Sequence, residues 1–296
     1  MIKVGLLGGG GLVGQTYQKL ISKHRGFELC FIPSREALED VSKARGCDLI
    51  FSALPNSAAE VYDPLYARAG YPVFSSASCH RMEEDIPLII PEINPEDFAW
   101  IERQQKNRGW DGFIVAKPNC TLQGMILPLF PLHKRFRLSG ISVTYLQARS
   151  GAGKGFELEG NILPFIEGEE EKSTMETHKI LGDSSIHISA QCMRVPISHG
   201  HLAAISARFQ ERPSLEEVKT LWDRYEPVSY LEEADRPQPA LDLGDGMVVS
   251  IGRLSACPLM DVRFVSLSHN LIRGAAGGGL LTAEYWSKNV RTPAAV

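Results

Sequence analysis

The sequence lacks any apolar run that approaches the roughly 18 to 20 residues of a membrane span. Its N-terminus opens on a strand pattern instead of a secretory signal. Lysine and arginine are scattered, and the formal net charge of −4 provides no basic surface for nucleic acid. These absences predict a cytoplasmic protein that binds neither a membrane nor a polynucleotide.

Patterns typical of metal sites and disulfide frameworks are missing as well. The six cysteines are dispersed, with no Cys-x-x-Cys pair and no histidine spacing typical of zinc. We interpret them as reduced thiols, most of them small buried residues, so a function for any one of them needs a local argument. The 296 residues, 44% of them apolar, suffice for one large or two medium domains.

The N-terminal part of the chain alternates between β-type and helical patterns. Its predicted strands and helices, in chain order, are 2–7, 12–22, 27–32, 48–54, 58–69 and 71–74. This alternation predicts a parallel sheet covered by helices.

After Pro118 the pattern changes, which predicts a second domain. An apolar helix candidate is followed by strands without regular intervening helices, at 121–133, 141–148, 187–195, 202–209, 247–253 and 262–267. Such an order favours a mixed α+β sheet. We therefore predict one domain of residues 1–118, completed by a C-terminal helix within 270–296, and a second domain of residues 119–269.

A glycine-rich turn, Gly8-Gly-Gly-Gly11-Leu-Val-Gly14, lies between the first strand and the first helix. Glycines there let the backbone approach a pyrophosphate, and the helix N-terminus supplies N–H groups and a partial positive charge. A tight turn alone would also use glycine, but the strand-to-helix position favours a dinucleotide site.

After the second strand, Ser34 and Arg35 stand where NAD sites carry an acidic residue. An arginine suits a 2′-phosphate, which favours NADP over NAD.

Cys120 is the cysteine with a functional setting. It lies in Lys117-Pro-Asn-Cys-Thr121, directly after the strand candidate 113–116 and at the start of an apolar helix. A helix N-terminus favours the thiolate, and a neighbouring histidine can serve as its base. We therefore predict that Cys120 is a nucleophile.

Several longer phrases occur along the chain in a fixed order. They include Gly11-Leu-Val-Gly-Gln15, Ser52-Ala-Leu-Pro55, Ala77-Ser-Cys-His-Arg-Met82, Pro118-Asn-Cys120, Gln147-Ala-Arg-Ser-Gly-Ala-Gly153, Glu176-Thr-His-Lys-Ile-Leu-Gly182, Gly200-His201 and His269-Asn-Leu-Ile-Arg-Gly-Ala-Ala-Gly277. Together these phrases resemble the aspartate-semialdehyde dehydrogenase family, particularly its archaeal and fungal branch. The resemblance implies an α/β protein with a Rossmann-type NADP-binding domain and an α+β catalytic and dimerisation domain with a mixed sheet. It also implies NADPH-dependent conversion of L-aspartyl-4-phosphate to L-aspartate 4-semialdehyde for lysine, threonine and methionine synthesis.

The resemblance assigns the catalytic and substrate-binding roles. By it, Cys120 forms the acyl thioester, and His201 is the general acid/base that relays a proton. Gln147 matches the glutamine that orients the substrate beside the cysteine. Arg194 matches the arginine that clamps the α-carboxylate, and Glu169 the acidic residue that faces the amino group.

The resemblance also implies a phosphate site, a cofactor site and an assembly. Arg81, Lys172 and Asn119 match the residues that hold phosphate, which is the co-substrate in the reverse reaction. Residues expected to contact NADP(H) are Gly8, Gly11, Leu12, Val13, Gly14, Ser34, Arg35, Ser52, Ser150, Gly151 and Asn270. The family analogy implies a homodimer or homotetramer.

One stretch departs from the family pattern. The segment between Gly14 and Asp48 is short, as if the second strand-helix unit were trimmed. Two alternatives stay open, the first because it shares the cysteine chemistry and the second because of this short segment. One is a related acyl-phosphate or acyl-CoA reductase, such as N-acetyl-glutamyl-phosphate reductase or malonyl-CoA reductase. The other is a non-catalytic nucleotide-binding paralogue.

Overall fold

The computed structural model describes residues 1–291. The strands are β1 (Ile2–Leu7), β2 (Phe27–Phe31), β3 (Leu49–Ser52), β4 (Pro72–Ser75), β5 (Phe113–Ala116), β6 (Leu138–Gln147), β7 (His187–Arg194), β8 (His201–Phe209), β9 (Val228–Leu231), β10 (Val249–Ala256) and β11 (Val262–Ser268). The α-helices are α1 (Leu12–Ile21), α2 (Asn56–Arg68), α3 (Trp100–Arg108), α4 (Leu122–Phe136), α5 (Glu169–Leu181), α6 (Leu215–Asp223) and α7 (Gly277–Asn289).

These elements form two compact units. The first contains residues 1–118 and the C-terminal segment from Ala275, and the second contains Asn119–Gly274. Residues 270–274, expected in the first domain, therefore belong to the second unit. The expected C-terminal helix also included 292–296, which lie outside the described residues.

The first unit is built on a parallel five-stranded sheet with the order β2-β1-β3-β4-β5. Its strands are short and apolar because both faces are covered, and Val4, Leu6 and Phe51 are fully buried. Helix α7 adds to this core through Trp286, whose ring lies 5.4 Å from that of Phe113. The C-terminal helix therefore helps to stabilise the N-terminal sheet.

The connection between β2 and β3 is reduced. Residues 32–48 contain two short 3-10 turns, Arg35–Ala37 and Val41–Ala44, where a Rossmann-type unit normally carries a helix. The segment nevertheless packs through Leu38 and Ala44, which are buried. Ser34 and Arg35 lie in this segment, shortly after the end of β2.

The second unit is built on a six-stranded mixed sheet with the order β7-β6-β8-β11-β10-β9. β6 and β7 are parallel, with Gln147 paired to Arg194, so both residues lie at the same end of the sheet. β8 runs antiparallel to β6 and β11 and begins with His201 at that end, opposite Ser268. The register thus collects distant polar residues at one edge.

The predicted combination of a parallel Rossmann-type sheet and a mixed sheet is confirmed. No helix within residues 1–291 has the length and apolar character to cross a membrane. The same described residues contain no group of three or more His, Cys, Asp or Glu side chains that could hold a metal ion.

Candidate active site

Cys120 lies in the second unit, two residues before α4 begins at Leu122. Its side chain is half-buried, and its Sγ lies 3.4 Å from His201 Nε2. The partial positive charge of a helix N-terminus favours a thiolate at this position. The predicted nucleophile and the predicted histidine are therefore in contact.

The hydrogen bonds of His201 define where its proton lies. The backbone N–H of Ala148 donates to His201 Nδ1 at 3.0 Å. An amide can only donate, so Nδ1 is unprotonated and the neutral ring carries its hydrogen on Nε2, facing Cys120. Burial and the nearby charge of Arg194 lower the pKa of His201 to about 3. The imidazole is therefore a neutral donor towards the sulfur.

Gln147 and Arg194 lie side by side because β6 and β7 are parallel and in register. Arg194 donates from Nη1 to Gln147 Oε1 at 3.2 Å and to the carbonyl oxygen of Ala148 at 2.9 Å. Burial lowers the pKa of Arg194, while the neighbouring Cys120 and Glu169 oppose that shift. A guanidinium nevertheless keeps its charge in proteins, so Arg194 can pair with an anionic substrate group.

Glu169 is the first residue of α5 and receives donors from three sides. Its carboxylate accepts from Lys172 Nζ at 3.0 Å, from Asn119 Nδ2 at 3.0 Å and from Gln147 Nε2 at 3.2 Å. Burial raises the pKa of Glu169, but the Lys172 ammonium and the two amides outweigh burial and hold the pKa below its usual value. The carboxylate is therefore ionised at neutral pH and able to bind an ammonium group.

The turn that carries Cys120 is fixed by a residue that the sequence did not single out. The N–H of Asn119 donates to Glu176 Oε2 at 2.7 Å, and the Asn119 side chain accepts from the N–H of Thr121 at 2.8 Å. Glu176 lies about two helical turns after Glu169 on α5, so both carboxylates face this turn. The i, i+7 spacing of the two glutamates, which suits one face of a helix, was the available signal.

Replacing Glu176 with alanine is expected to lower the free energy of unfolding by about 1 to 3 kcal/mol, because the buried N–H of Asn119 loses its acceptor. We also expect kcat to fall, since the backbone next to Cys120 becomes less fixed. Urea unfolding and steady-state kinetics measure the two effects. Glu176→Gln keeps an acceptor oxygen and should recover much of both.

The control for this prediction is Glu171→Ala, which removes an exposed glutamate from the same helix. It should leave stability and kcat nearly unchanged. If Glu176→Ala behaves like Glu171→Ala, the proposed fixing of the nucleophile turn is wrong.

Two glycines lie so close to residues of the site that no side chain would fit in their place. A Cβ on Gly151 would lie 2.5 Å from Arg194 Nη1 and 3.1 Å from His201 Cε1. A Cβ on Gly274 would lie 2.7 Å from Cys120 Cβ. Gly151 was expected to contact the cofactor, whereas Gly274 was missed because its contact with Cys120 comes from the fold.

Ser150 and Asn270, both expected at the cofactor, are joined in the second unit. Asn270 Nδ2 donates to Ser150 Oγ at 2.8 Å, and Asn270 Oδ1 accepts from the N–H of Gly200 at 3.0 Å. Asn270 is buried and therefore fixes the turn directly before His201. The two residues are thus connected to the Cys120 cluster through Gly200.

In the first unit, the glycine turn borders a cavity of about 620 Å³. Gly8, Gly11, Ser34 and Arg35 line it, as predicted residues of the cofactor site. Gly8 has φ +78°, and Gly10 has nothing within 4 Å of a Cβ position, so the turn is open towards the cavity. Exposed backbone at a helix N-terminus together with an arginine fits a dinucleotide phosphate.

The remaining expected cofactor residues of this unit lie around the turn. Gly14 is buried beneath it, where a Cβ would overlap the carbonyl oxygen of Gly8. Leu12 and Val13 open α1 and are half-buried. Ser52 is fully buried at the end of β3, and the residues that follow it, including Ala53, line the cavity instead. Gly14 and Ser52 therefore act through packing.

Arg81 lies in the first unit and is 7% exposed. It donates from Nη2 to the carbonyl oxygen of Ser76 at 3.1 Å. The adjacent His80 had no predicted role. Burial opposes its protonation, but contacts with Asp63 and Glu83 outweigh burial and raise its pKa to about 12. These ion pairs fix the segment that carries Arg81.

Comparison with known proteins identifies the family. Residues 36–101 match the model of the semialdehyde dehydrogenase NAD-binding domain, and residues 129–273 match that of the semialdehyde dehydrogenase dimerisation domain. An aspartate-semialdehyde dehydrogenase from Archaeoglobus fulgidus is 38% identical, over 96% of this chain and 98% of that protein. The chain belongs to the aspartate-semialdehyde dehydrogenase family.

Two other related proteins bear on the structure and the activity of this chain. The crystal structure of the Candida albicans aspartate-semialdehyde dehydrogenase with NADP has a TM-score of 0.87 and 34% identity, covering 98% of this chain and 100% of that one. A malonyl-CoA reductase (NADP) from Metallosphaera sedula is 34% identical over 96% of this chain and 89% of that protein. Membership of the family therefore leaves the acyl substrate to be argued from the site.

The comparison also bears on the length of this chain. The alignment with the Archaeoglobus fulgidus protein spans 336 positions, more than the 296 residues of this chain. That relative therefore has segments without a counterpart here.

Proposed function

We propose that this family member is an NADP-dependent aspartate-semialdehyde dehydrogenase. It would convert L-aspartyl-4-phosphate to L-aspartate 4-semialdehyde through a thioester on Cys120. The observation that carries the proposal is the contact of 3.4 Å between Cys120 Sγ and His201 Nε2, beside an ionised Glu169 and a buried Arg194.

The first half-reaction forms the thioester. The Cys120 thiolate attacks the acyl carbon, a carbon–sulfur bond forms, and the carbon–oxygen bond to phosphate breaks with its electron pair on the phosphate. The Nε2 hydrogen of His201 is directed at the sulfur and can donate to the oxyanion that forms beside it. This step requires no proton on His201 Nδ1.

The second half-reaction releases the aldehyde. NADPH, when bound, supplies the hydride that reduces the thioester carbon. The resulting alkoxide re-forms a carbonyl as the carbon–sulfur bond breaks, which returns the thiolate to Cys120. His201 would stabilise first the alkoxide and then the departing thiolate as a hydrogen-bond donor. The acid/base role implied by the resemblance would require Nδ1 to give up the Ala148 amide.

Substrate recognition follows from the charges around Cys120. Arg194 would bind the α-carboxylate with its planar pair of donors. Glu169 would bind the α-ammonium group, for which it must be ionised, as its lowered pKa supports. Lys172 and Asn119 would hold the phosphate group. Because Lys172 and Asn119 both contact Glu169, amino-group and phosphate recognition are coupled.

A preference for NADP would come from Arg35. Arg35→Ala is expected to raise KM for NADP by roughly tenfold, the value of one charge-assisted hydrogen bond to a phosphate. KM for NAD should stay unchanged, because NAD has no 2′-phosphate. Kinetics with both cofactors test this, with Arg25→Ala as the control for removing an exposed arginine outside the cavity. An equal rise for NAD and NADP would contradict the assignment.

The six-stranded sheet also suggests how subunits associate. One face carries small and polar side chains around a shallow cavity, among them Ser142, Thr144, Ser206, Arg253 and Arg263. The match to a dimerisation domain covers this sheet. We propose a homodimer that buries this face, with a homotetramer as the alternative, and light scattering after size-exclusion chromatography distinguishes them.

A second candidate function is malonyl-CoA reduction, favoured by the 34% identical Metallosphaera sedula protein. Both reactions use a cysteine thioester and NADPH. Malonyl-CoA has a carboxylate but no ammonium group, so it would use Arg194 and leave the ionised Glu169 without a partner of opposite charge from the substrate. The position of Glu169 therefore favours the amino-acid substrate.

The experiment that tests the function follows reduced nicotinamide by its absorbance. L-aspartate semialdehyde, phosphate and NADP are supplied together, and each is then omitted in turn. We expect phosphate-dependent reduction of NADP. Malonyl-CoA and N-acetyl-glutamyl phosphate with NADPH form the comparison panel, and turnover of only one of these would overturn the proposal. Failure with all three substrates from folded protein would favour a non-catalytic paralogue.

A further inference from the structure

Two cysteines outside the catalytic cluster meet at the edge of the parallel sheet. Cys30 on β2 and Cys47 before β3 are 17 positions apart in the chain, and their sulfur atoms lie 2.9 Å from each other. Cys30 is exposed and Cys47 is half-buried. The proposed reaction uses neither thiol.

Their meeting needs an explanation, because β1 lies between β2 and β3. Strands on either side of a third are separated by roughly twice the usual 4.8 Å, too far for most side chains of this size. Here Gly5 on β1 has no side chain, and a Cβ at that position would lie 3.5 Å from Cys47 Sγ. The register between β1 and β2 also shifts at Val4 and Gly5, which displaces Cys30 from regular pairing. The absence of a side chain at Gly5 and the register shift together allow the two thiols to approach each other.

We propose that Cys30 and Cys47 are a thiol–disulfide exchange site, whose intramolecular disulfide closes the base of the segment carrying Ser34 and Arg35. Bond formation requires the sulfur atoms to approach from 2.9 Å to about 2.05 Å. The linked segment, residues 31–46, contains the two short 3-10 turns and borders the cofactor cavity.

The oxidant is a small-molecule disulfide such as oxidised glutathione. The Cys30 thiolate attacks one of its sulfurs, which forms a mixed disulfide and releases one glutathione thiolate. The Cys47 thiolate then attacks Cys30 Sγ and releases the second glutathione. Two protein thiols lose two electrons and two protons, and one oxidised glutathione becomes two reduced molecules.

The environment of each thiol determines which of the two reacts first with the oxidant. Cys30 is exposed and therefore accessible to the oxidant. Burial of Cys47 and its contact with Cys30 raise the pKa of Cys47 to about 12, so its thiolate is scarce at neutral pH. Cys30 would attack first, and closure by Cys47 should become faster as the pH rises.

The expected effect of the disulfide on cofactor binding rests on the proposed NADP site. The ends of the segment 31–46 are held by β2 and β3, and between them it has no α-helix. A cross-link at its base limits its conformations and orders Arg35 before the cofactor binds. Such preorganisation should lower the Kd for NADP by roughly three- to tenfold in the oxidised protein.

Disulfide formation is tested on the full chain carrying Cys120→Ser, so that the proposed nucleophile does not consume the oxidant. After treatment with oxidised glutathione, mass spectrometry of peptides prepared without reductant should find Cys30 linked to Cys47, with two hydrogens lost. Cys47→Ser should stop at a glutathione adduct on Cys30. Cys79→Ser, which removes another half-buried thiol, should leave the link intact. A stable glutathione adduct on Cys30 with Cys47 present, or alkylation of both thiols after oxidation, would overturn the proposal.

Isothermal titration calorimetry with NADP, on the oxidised and on the reduced protein, tests the expected change in Kd. A lower Kd after oxidation, reversed by dithiothreitol and absent in Cys30→Ser, supports it. Equal Kd values would overturn the link to the cofactor. If neither form binds NADP, the proposed cofactor site and its regulation both fail, while peptide mapping still decides whether the disulfide forms.

Discussion

Cys120→Ala is expected to lower kcat/KM for L-aspartate semialdehyde by at least about 10⁴-fold, the scale on which enzymes lose activity without their nucleophile. Without the sulfur no thioester can form, and neither His201 nor Arg194 offers a replacement nucleophile at that position. The Kd for NADP should be unchanged, since the glycine turn and Arg35 lie in the other unit. Phosphate-dependent NADP reduction measures the activity, and calorimetry measures cofactor binding.

Cys257→Ser provides the matched control, because it makes a thiol-to-hydroxyl change at a buried site of the same unit. Cys120→Ser should be nearly as inactive as Cys120→Ala, whereas Cys257→Ser should keep its activity. Iodoacetamide gives an independent measurement, since Cys120 should be labelled before the other cysteines. A Cys120→Ala enzyme with substantial activity would exclude a thioester on Cys120, and uniform labelling of the thiols would contradict an activated thiolate at that position.

The sequence predicted most of the architecture because the apolar periodicity of its main elements is strong. The predicted β1 and β5 agree with the structure, and α1 differs by a single residue. The helices α3 and α6 and the strand β9 were missed. The sequence of α3 is almost entirely polar, and β9 has four residues, so neither carries a pattern that stands out from a loop. α3 is positioned by its packing against β5, and β9 by its parallel pairing with β10.

The candidate site was predictable where short phrases carry the chemistry. Cys120, Gln147, Glu169, Arg194 and His201 were identified on that basis, and the structure brings them together. Their proximity follows from parallel pairing of β6 and β7 and from the start of β8 at the same edge. By contrast, no local pattern could reveal that Gly274 borders Cys120, because that contact joins the two ends of the second unit.

The proton position on His201 was also beyond sequence reasoning. A histidine near a cysteine usually suggests proton exchange, and the resemblance implied such a role. The Ala148 amide excludes a proton from Nδ1, and burial lowers the pKa of His201 to about 3. The neutral ring should therefore persist across the physiological range. Between pH 5 and 8, kcat/KM should show no inflection that disappears in a His201 variant.

Replacing His201 distinguishes hydrogen-bond donation from proton relay. His201→Ala should reduce kcat by about 10²- to 10³-fold, the usual effect of losing one oxyanion donor. His201→Gln can place an amide N–H near the former Nε2 but cannot relay a proton at neutral pH. If His201 acts as a donor, the glutamine variant should retain at least about tenfold more activity than the alanine variant. If His201 relays a proton, both variants should lose activity equally, and the wild-type pH profile should contain an inflection that both lack. The comparison therefore decides whether Nδ1 keeps the Ala148 amide throughout the reaction or releases it.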